Sequence, residues 1–167
     1  MHRHEVDEAS RLRAEAAAAL AEAQSAVHPF PAVAYAGFLH DAEKEYAEAV
    51  LTAALVAGAA LPGPAEVGVT VPAWLNGIAE AASELRRHLL DRLRAGELAE
   101  AERLLTEMDA VYDLLVTVDY PDALTGGLRR TTDALRAVLE RTRSDLTLTL
   151  VQSRLHAALE AQRSDRG

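Results

Sequence analysis

Leu75, Ile78, Ala82, Leu85, Leu89 and Leu93 recur at intervals of three and four residues, with Trp74 beside them. This spacing lines one face of an α-helix, whereas a strand, with its period of two, would scatter the same residues over both faces. The interval governs most of the chain. Leu12, Ala16, Ala19, Leu20 and Ala23 carry it from Glu5 to about Val27. Leu98, Ala101, Leu105, Met108, Tyr112 and Leu115 carry it from Glu97 to about Val118, and Leu128, Leu135, Leu139, Leu146 and Leu150 from Leu128 to about Ala161. A further helix is expected from about Val33 to Ala60, and the first stripe belongs to a helix from Pro72 to about Arg94 with proline in its first turn. Within the last helix, Leu146-Thr147-Leu148-Thr149-Leu150-Val151 alternates like a strand, the weakest helical segment of the chain. The Arg-rich tail beyond it is expected to fray.

The breaks agree with the stripes. His28-Pro29-Phe30-Pro31, the Pro/Gly/Val-rich stretch from Leu61 to Val71, Gly96, Asp119-Tyr120-Pro121-Asp122 and Gly126-Gly127 lie between the periodic segments, where proline and glycine end helices. Half of the residues are apolar but only 4% are aromatic, and Ala and Leu, the best helix formers, dominate. A length of 167 residues suits one domain with a real core. The expected fold is therefore all-α, a bundle of about five to six helices in a single domain over residues 1–167, with the tight connection at Gly96 making its neighbours antiparallel.

Several classes of function fall away. The chain has no cysteine, hence no disulfide framework, thiolate metal site or cysteine nucleophile. Its acidic start is followed by no signal-peptide apolar region, and its longest apolar run, Ala49 to Pro64, is interrupted and shorter than the roughly 20 residues of a membrane span. A cytoplasmic location away from membranes is expected. The formal net charge of −9 opposes whole-surface attraction to nucleic acid, so any RNA contact must be local. Lys44 is the only lysine, and arginine, suited to bidentate phosphate contacts, supplies the remaining positive charge. There is no glycine-rich phosphate loop and no Glu-x-x-His pair, and an ordinary helix-surface role is expected for His40.

Two acidic strips remain. Asp41, Glu45, Glu48 and Thr52 follow one another at spacings of four, three and four, which places them on one side of a helix. From Ala49 onward that helix is apolar on nearly every face, and such a segment belongs in an interior. Asn76, Glu80, Glu84, Arg87 and Asp91 line the next helix opposite its leucine stripe. Each strip by itself reads as an ordinary polar face. Facing one another, they would repel unless cations neutralised them, and oxygen ligands without cysteine suit Mg²⁺ or Mn²⁺ better than zinc.

Glu45-Tyr46-Ala47-Glu48-Ala49, then Leu75-Asn76-Gly77-Ile78-Ala79-Glu80-Ala81-Ala82-Ser83-Glu84-Leu85, then Gly96-Glu97 and Val111-Tyr112-Asp113 occur in an order and spacing that resembles the translin family. They are closest to its TRAX-like (translin-associated factor X) branch, over about Val6 to Arg154. The resemblance implies an all-α subunit in a hollow homo-oligomer, octamer-like, that binds single-stranded RNA or DNA. For the TRAX branch it implies a Mg²⁺-dependent endoribonuclease whose carboxylates are, in this chain, Glu45, Glu48, Glu80 and Glu84. The family often has Asp at the position of Glu80. Met1 to Ala9 looks like the end of the family's basic first helix and the start of its second, so most of that first helix is expected to be missing. Among the arginines, Arg87 on the glutamate strip and Arg129 and Arg130 on the last helix are the candidate phosphate contacts, while Arg86, Arg92, Arg94, Arg136, Arg141 and Arg143 read equally as faces balanced by nearby acids. Two other functions fit the same residues: a translin-like binder without catalysis, and an all-α nucleotide pyrophosphohydrolase, whose second helix carries Glu-x-x-Asp rather than the four-residue spacing of Glu80 and Glu84.

Overall fold

The computed structural model describes residues 2–164, and every regular element among them is helical. Five long helices, α1 (His2–Val27), α3 (Phe38–Ala57), α5 (Val71–Arg94), α6 (Leu98–Leu115) and α8 (Leu128–Ser164), are joined through three single turns, α2 (Pro31–Ala34), α4 (Pro64–Val67) and α7 (Asp122–Thr125). The all-α expectation holds. Met1, at the start of the segment expected to join two family helices, lies outside the described residues, and from His2 the chain is one continuous helix. Residues 165–167 of the tail expected to fray also lie outside them.

Helix α5 is the axis of the fold: it packs against α3, α6, α7 and α8. Its stripe of Leu75, Ile78, Leu85 and Leu89 meets Leu51 and Leu55 of α3, Leu104, Met108 and Leu115 of α6, and Leu135 and Leu139 of α8 in one core. With neighbours on several sides, its polar face is partly covered too. Asn76, expected on an exposed strip, is 2% exposed. Its Nδ2 donates to the carbonyls of Pro72 and Thr125 at 2.9 and 2.7 Å, and its Oδ1 accepts from Thr131 Oγ1 at 2.8 Å. These bonds satisfy the buried amide and tie α5 to α7 and α8.

Helix α3 starts later than expected, after the break at Gly37, and stops at Ala57, where Gly58 takes the left-handed conformation (φ 63°) that closes a helix. Arg103 of α6 reinforces that end. Its guanidinium donates to the carbonyls of Leu55 and Val56 at 3.2 and 2.9 Å while Glu100 holds it from the other side. Arg103→Met leaves both carbonyls without this donor and is expected to lower unfolding free energy by about 1–2 kcal/mol, read from urea denaturation.

The apolar half of α3 is not enclosed all round. Leu51 and Leu55 are buried, but Ala49 and Ala57 are exposed, and Val50, Ala53 and Val56 half-buried. Helix α1 lies along that side, held through Leu20, its buried side chain among the described residues, and Gln24. A groove of about 1140 Å³, lined by Leu12 and Arg13 of α1 and by Val50, Ala53 and Ala54 of α3, remains open between them. The alternating Leu146–Val151 segment is helical, with the Thr147 and Thr149 hydroxyls donating to the carbonyls of Arg143 and Asp145 one turn back. From Val151 to Ser164 every residue of α8 is exposed, so the helix extends beyond the bundle by about 20 Å at 1.5 Å per residue. No helix of the described residues is long and apolar enough to cross a membrane.

Candidate metal centre

A glycine brings the two acidic strips together. A Cβ on Gly77 would lie 2.8 Å from Ala47 Cβ, 3.0 Å from the Lys44 carbonyl oxygen and 3.1 Å from the Glu48 amide nitrogen. The backbone of α5 therefore passes α3 at the turn from Lys44 to Glu48, a contact only glycine permits. Glu80, one turn beyond Gly77, is carried to the same turn of α3. Glu45, Glu48 and Glu80 can each place one carboxylate oxygen within 4.8 Å of the others.

Lys44 joins them. Its Nζ donates to both oxygens of Glu80, at 2.9 and 2.7 Å, and lies 3.1 Å from Glu45 Oε1. Partial burial pulls its pKa down, but the bonds to Glu80 and Glu45 outweigh that and hold the ammonium above its ordinary value. Glu48 lies deeper than Glu45. Burial first, then the charges of Glu80 and Glu45, push its carboxyl up to about 7. Four residues on, Thr52 has a buried hydroxyl without a hydrogen-bond partner, an unused oxygen on the same side of the helix. Glu84, the fourth expected carboxylate, is exposed and outside the three-oxygen group. It stands along the groove with Glu45, Glu48 and His88 and contributes only the smallest of the charges that raise Glu48.

The raised pKa has a consequence for stability. Between the ordinary carboxylate range and about pH 7 the folded chain holds a proton on Glu48 that the unfolded chain has released. The folded state binds more protons in that window, so its stability falls as pH rises through it. Glu48→Gln is expected to flatten this slope and to unfold at a higher temperature than wild type near pH 8, measured by thermal melts across the window.

The candidate phosphate contacts separate. Arg87 is exposed beside Glu84, in a shallow depression with Arg86 and Arg94. Arg129 lines a different hollow, of about 770 Å³, among Asp119, Asp122 and Asp133, and Arg130 is exposed next to it in the chain. Most of the other arginines are paired: Arg86 with Asp145, Arg92 with Glu97, Arg94 with Asp91, Arg136 with Glu140 and Arg143 with Asp109. Arg141 donates to the Ala137 carbonyl. His40 packs on Gly126, whose Cβ position is 2.9 Å from His40 Nε2, rather than beside the carboxylates.

Lys44 and Gly77 are the site residues that the sequence reading overlooked, although a lone lysine and a glycine inside a strong helical stripe were both visible signals. Glu43 is another. It is 3% exposed, and accepts from Gln24 Nε2 at 2.9 Å and from the Thr70 amide and hydroxyl at 3.0 and 2.6 Å. It anchors α1 and the start of α5 to the turn that carries the site.

No family model matches the chain. The solved structures of AfC3PO, an archaeal translin-family protein, match it, both alone and in the structure described as an AfC3PO–duplex RNA complex. Identity is 34%, over 90% of this chain and 78% of AfC3PO, with TM-scores of 0.79 and 0.78 respectively. The chain belongs to the translin family. An uncharacterized protein of Methanocaldococcus jannaschii is 29% identical over 120 residues, 71% of this chain, and the matched region spans 53% of that protein, about half its length. In this translin-family chain the facing carboxylates sit beside the tight contact of α3 and α5 at Gly77.

Proposed function

We propose that the chain is a divalent-metal-dependent endoribonuclease of the TRAX-like branch, cutting single-stranded RNA within a homo-oligomeric shell. The observation that carries this reading is the convergence of Glu45, Glu48 and Glu80 from two helices, with one oxygen of each within 4.8 Å of the others. Every donor is a carboxylate oxygen, the set that suits Mg²⁺ or Mn²⁺, and Thr52, one turn beyond Glu48, has a buried hydroxyl with no hydrogen-bond partner. A cation held there supplies polarisation of the phosphodiester oxygens. One of the three carboxylates would also accept a proton from the attacking water. Arg87, beside Glu84, is the candidate contact for a neighbouring phosphate, and Arg129 and Arg130 are the candidates elsewhere on the surface.

RNA as the ligand is supported by the duplex RNA bound to AfC3PO. The shell is supported by apolar surface the chain leaves uncovered, above all Leu148, Val151, Leu155 and Leu159 on α8.

A binder without catalysis is favoured by one observation, the bond of Lys44 to Glu80, which already neutralises part of the cluster. Labelled single-stranded and duplex RNA, incubated with Mn²⁺ or with chelator, separates the readings. Cleavage that needs the metal and is lost in Glu45→Ala supports the nuclease. Wild-type cleavage by Glu45→Ala sinks it, and RNA binding with no metal-dependent cleavage establishes the binder.

A further inference from the structure

Lys44 is the only lysine in 167 residues, and it stands inside the carboxylate cluster rather than on the surface, with its side chain 19% exposed. It donates to both oxygens of Glu80 and pairs with Glu45. Two divalent ions bound by such a cluster would have to share carboxylates across a separation of about 4 Å. An ammonium bonded to both oxygens of one of those carboxylates stands where the sharing would occur. Charge gives the same result. Ionised, Glu45, Glu48 and Glu80 carry three negative charges, which the ammonium and one divalent ion balance. With Glu84, which stands near Glu48, also counted, the ammonium and one divalent ion leave one negative charge, and removing the ammonium leaves two, the charge that a second divalent ion would balance.

We propose that Lys44 is the resident cation of this cluster, taking by its ammonium one of the cation places formed by Glu45, Glu48 and Glu80, so that the chain binds one divalent ion where it would otherwise bind two. The count rests on the metal-dependent reading above; the role of Lys44 does not. Lys44 is thus a positioning residue, holding Glu80 toward α3 while excluding a second ion.

The test is titration of the full chain with Mn²⁺, following free ion by its paramagnetic resonance signal, with thermal melts of the same samples. Wild type is expected to bind one Mn²⁺ per chain, Lys44→Met and Lys44→Gln one more than wild type, and Lys44→Arg, which keeps the charge, the wild-type number. A residue that only braced α3 against α5 would change the melts without raising the count. Folded Lys44→Met or Lys44→Gln binding no more Mn²⁺ than wild type overturns the proposal. So does wild type binding two, a measurement that needs no variant to fold. Wild type binding none while Lys44→Met binds one retains the resident cation and overturns the metal-dependent nuclease. Binding by neither overturns both.

Discussion

Glu80→Gln is expected to cut metal-dependent RNA cleavage by at least about a hundred-fold, since changing residues that merely support a metal's ligands already costs about 10- to 100-fold. Glu80 is the only α5 carboxylate in the three-oxygen group, and without its charge the remaining two belong to neighbouring positions on α3. The amide keeps the size of the side chain and can still accept a hydrogen bond from Lys44. The Lys44–Glu80 pair is partly solvated, so the fold is expected to lose no more than about 1 kcal/mol. A second change separates this variant from simple misfolding. After burial, Glu80 is the largest cause of the raised Glu48 pKa, so the Glu48 carboxyl is expected to titrate at lower pH in Glu80→Gln. Carboxyl-carbon NMR of Glu48 measures it. An unchanged titration together with wild-type cleavage would mean that the two carboxylates do not act as one site.

Gly77→Ala is expected to destabilise the protein by about 1–3 kcal/mol, the usual cost of overfilling a packed interior, although alanine is the better helix former by about 1 kcal/mol. The steric cost prevails because the new methyl meets the Ala47 methyl at 2.8 Å and backbone atoms of Lys44 and Glu48 at 3.0 and 3.1 Å. Alanine has no rotamer to change, and the backbone atoms belong to a hydrogen-bonded helix. Relief requires α3 and α5 to move apart, which draws Glu80 away from Lys44, Glu45 and Glu48. A melting temperature lowered by roughly 2–4 °C for each kcal/mol lost is therefore expected. Cleavage should fall even at temperatures where the variant remains fully folded. Adding Ala47→Gly removes one of the three clashes and is expected to restore part of both properties, an interaction visible in a double-mutant cycle. A Gly77→Ala chain with wild-type stability and cleavage would show that the close approach is dispensable.

The helices were legible because their information is local and repeated. Leu75, Ile78, Leu85 and Leu89 mark a buried face whatever packs on it, and Gly96 and Pro121 interrupt the pattern whatever follows. The turn at Gly37 that delays α3 was harder to read, because Val33, Ala34 and Tyr35 have no property that forbids helix. Asn76 was misjudged for a different reason: period alone cannot reveal that a helix has neighbours on both sides. The reverse error occurred on α3, where Ala49, Val50, Ala53 and Val56 suggest enclosure but the fold leaves a groove.

What the amino-acid order determined by itself was the helical class, the approximate limits of the long helices, and the placing of Glu45 with Glu48 and of Glu80 with Glu84 on two acidic faces. Those are properties of residues within a turn or two of each other, governed by helical period and by proline and glycine at the breaks. Only the tertiary structure decided which carboxylates meet. It drew Glu80 to Glu45 and Glu48, left Glu84 at the edge, and inserted Lys44 among them, because these residues come together only where Gly77 allows the α5 backbone to lie against α3. Such a meeting depends on the distance between two helix axes, and helical period contains no information about that distance.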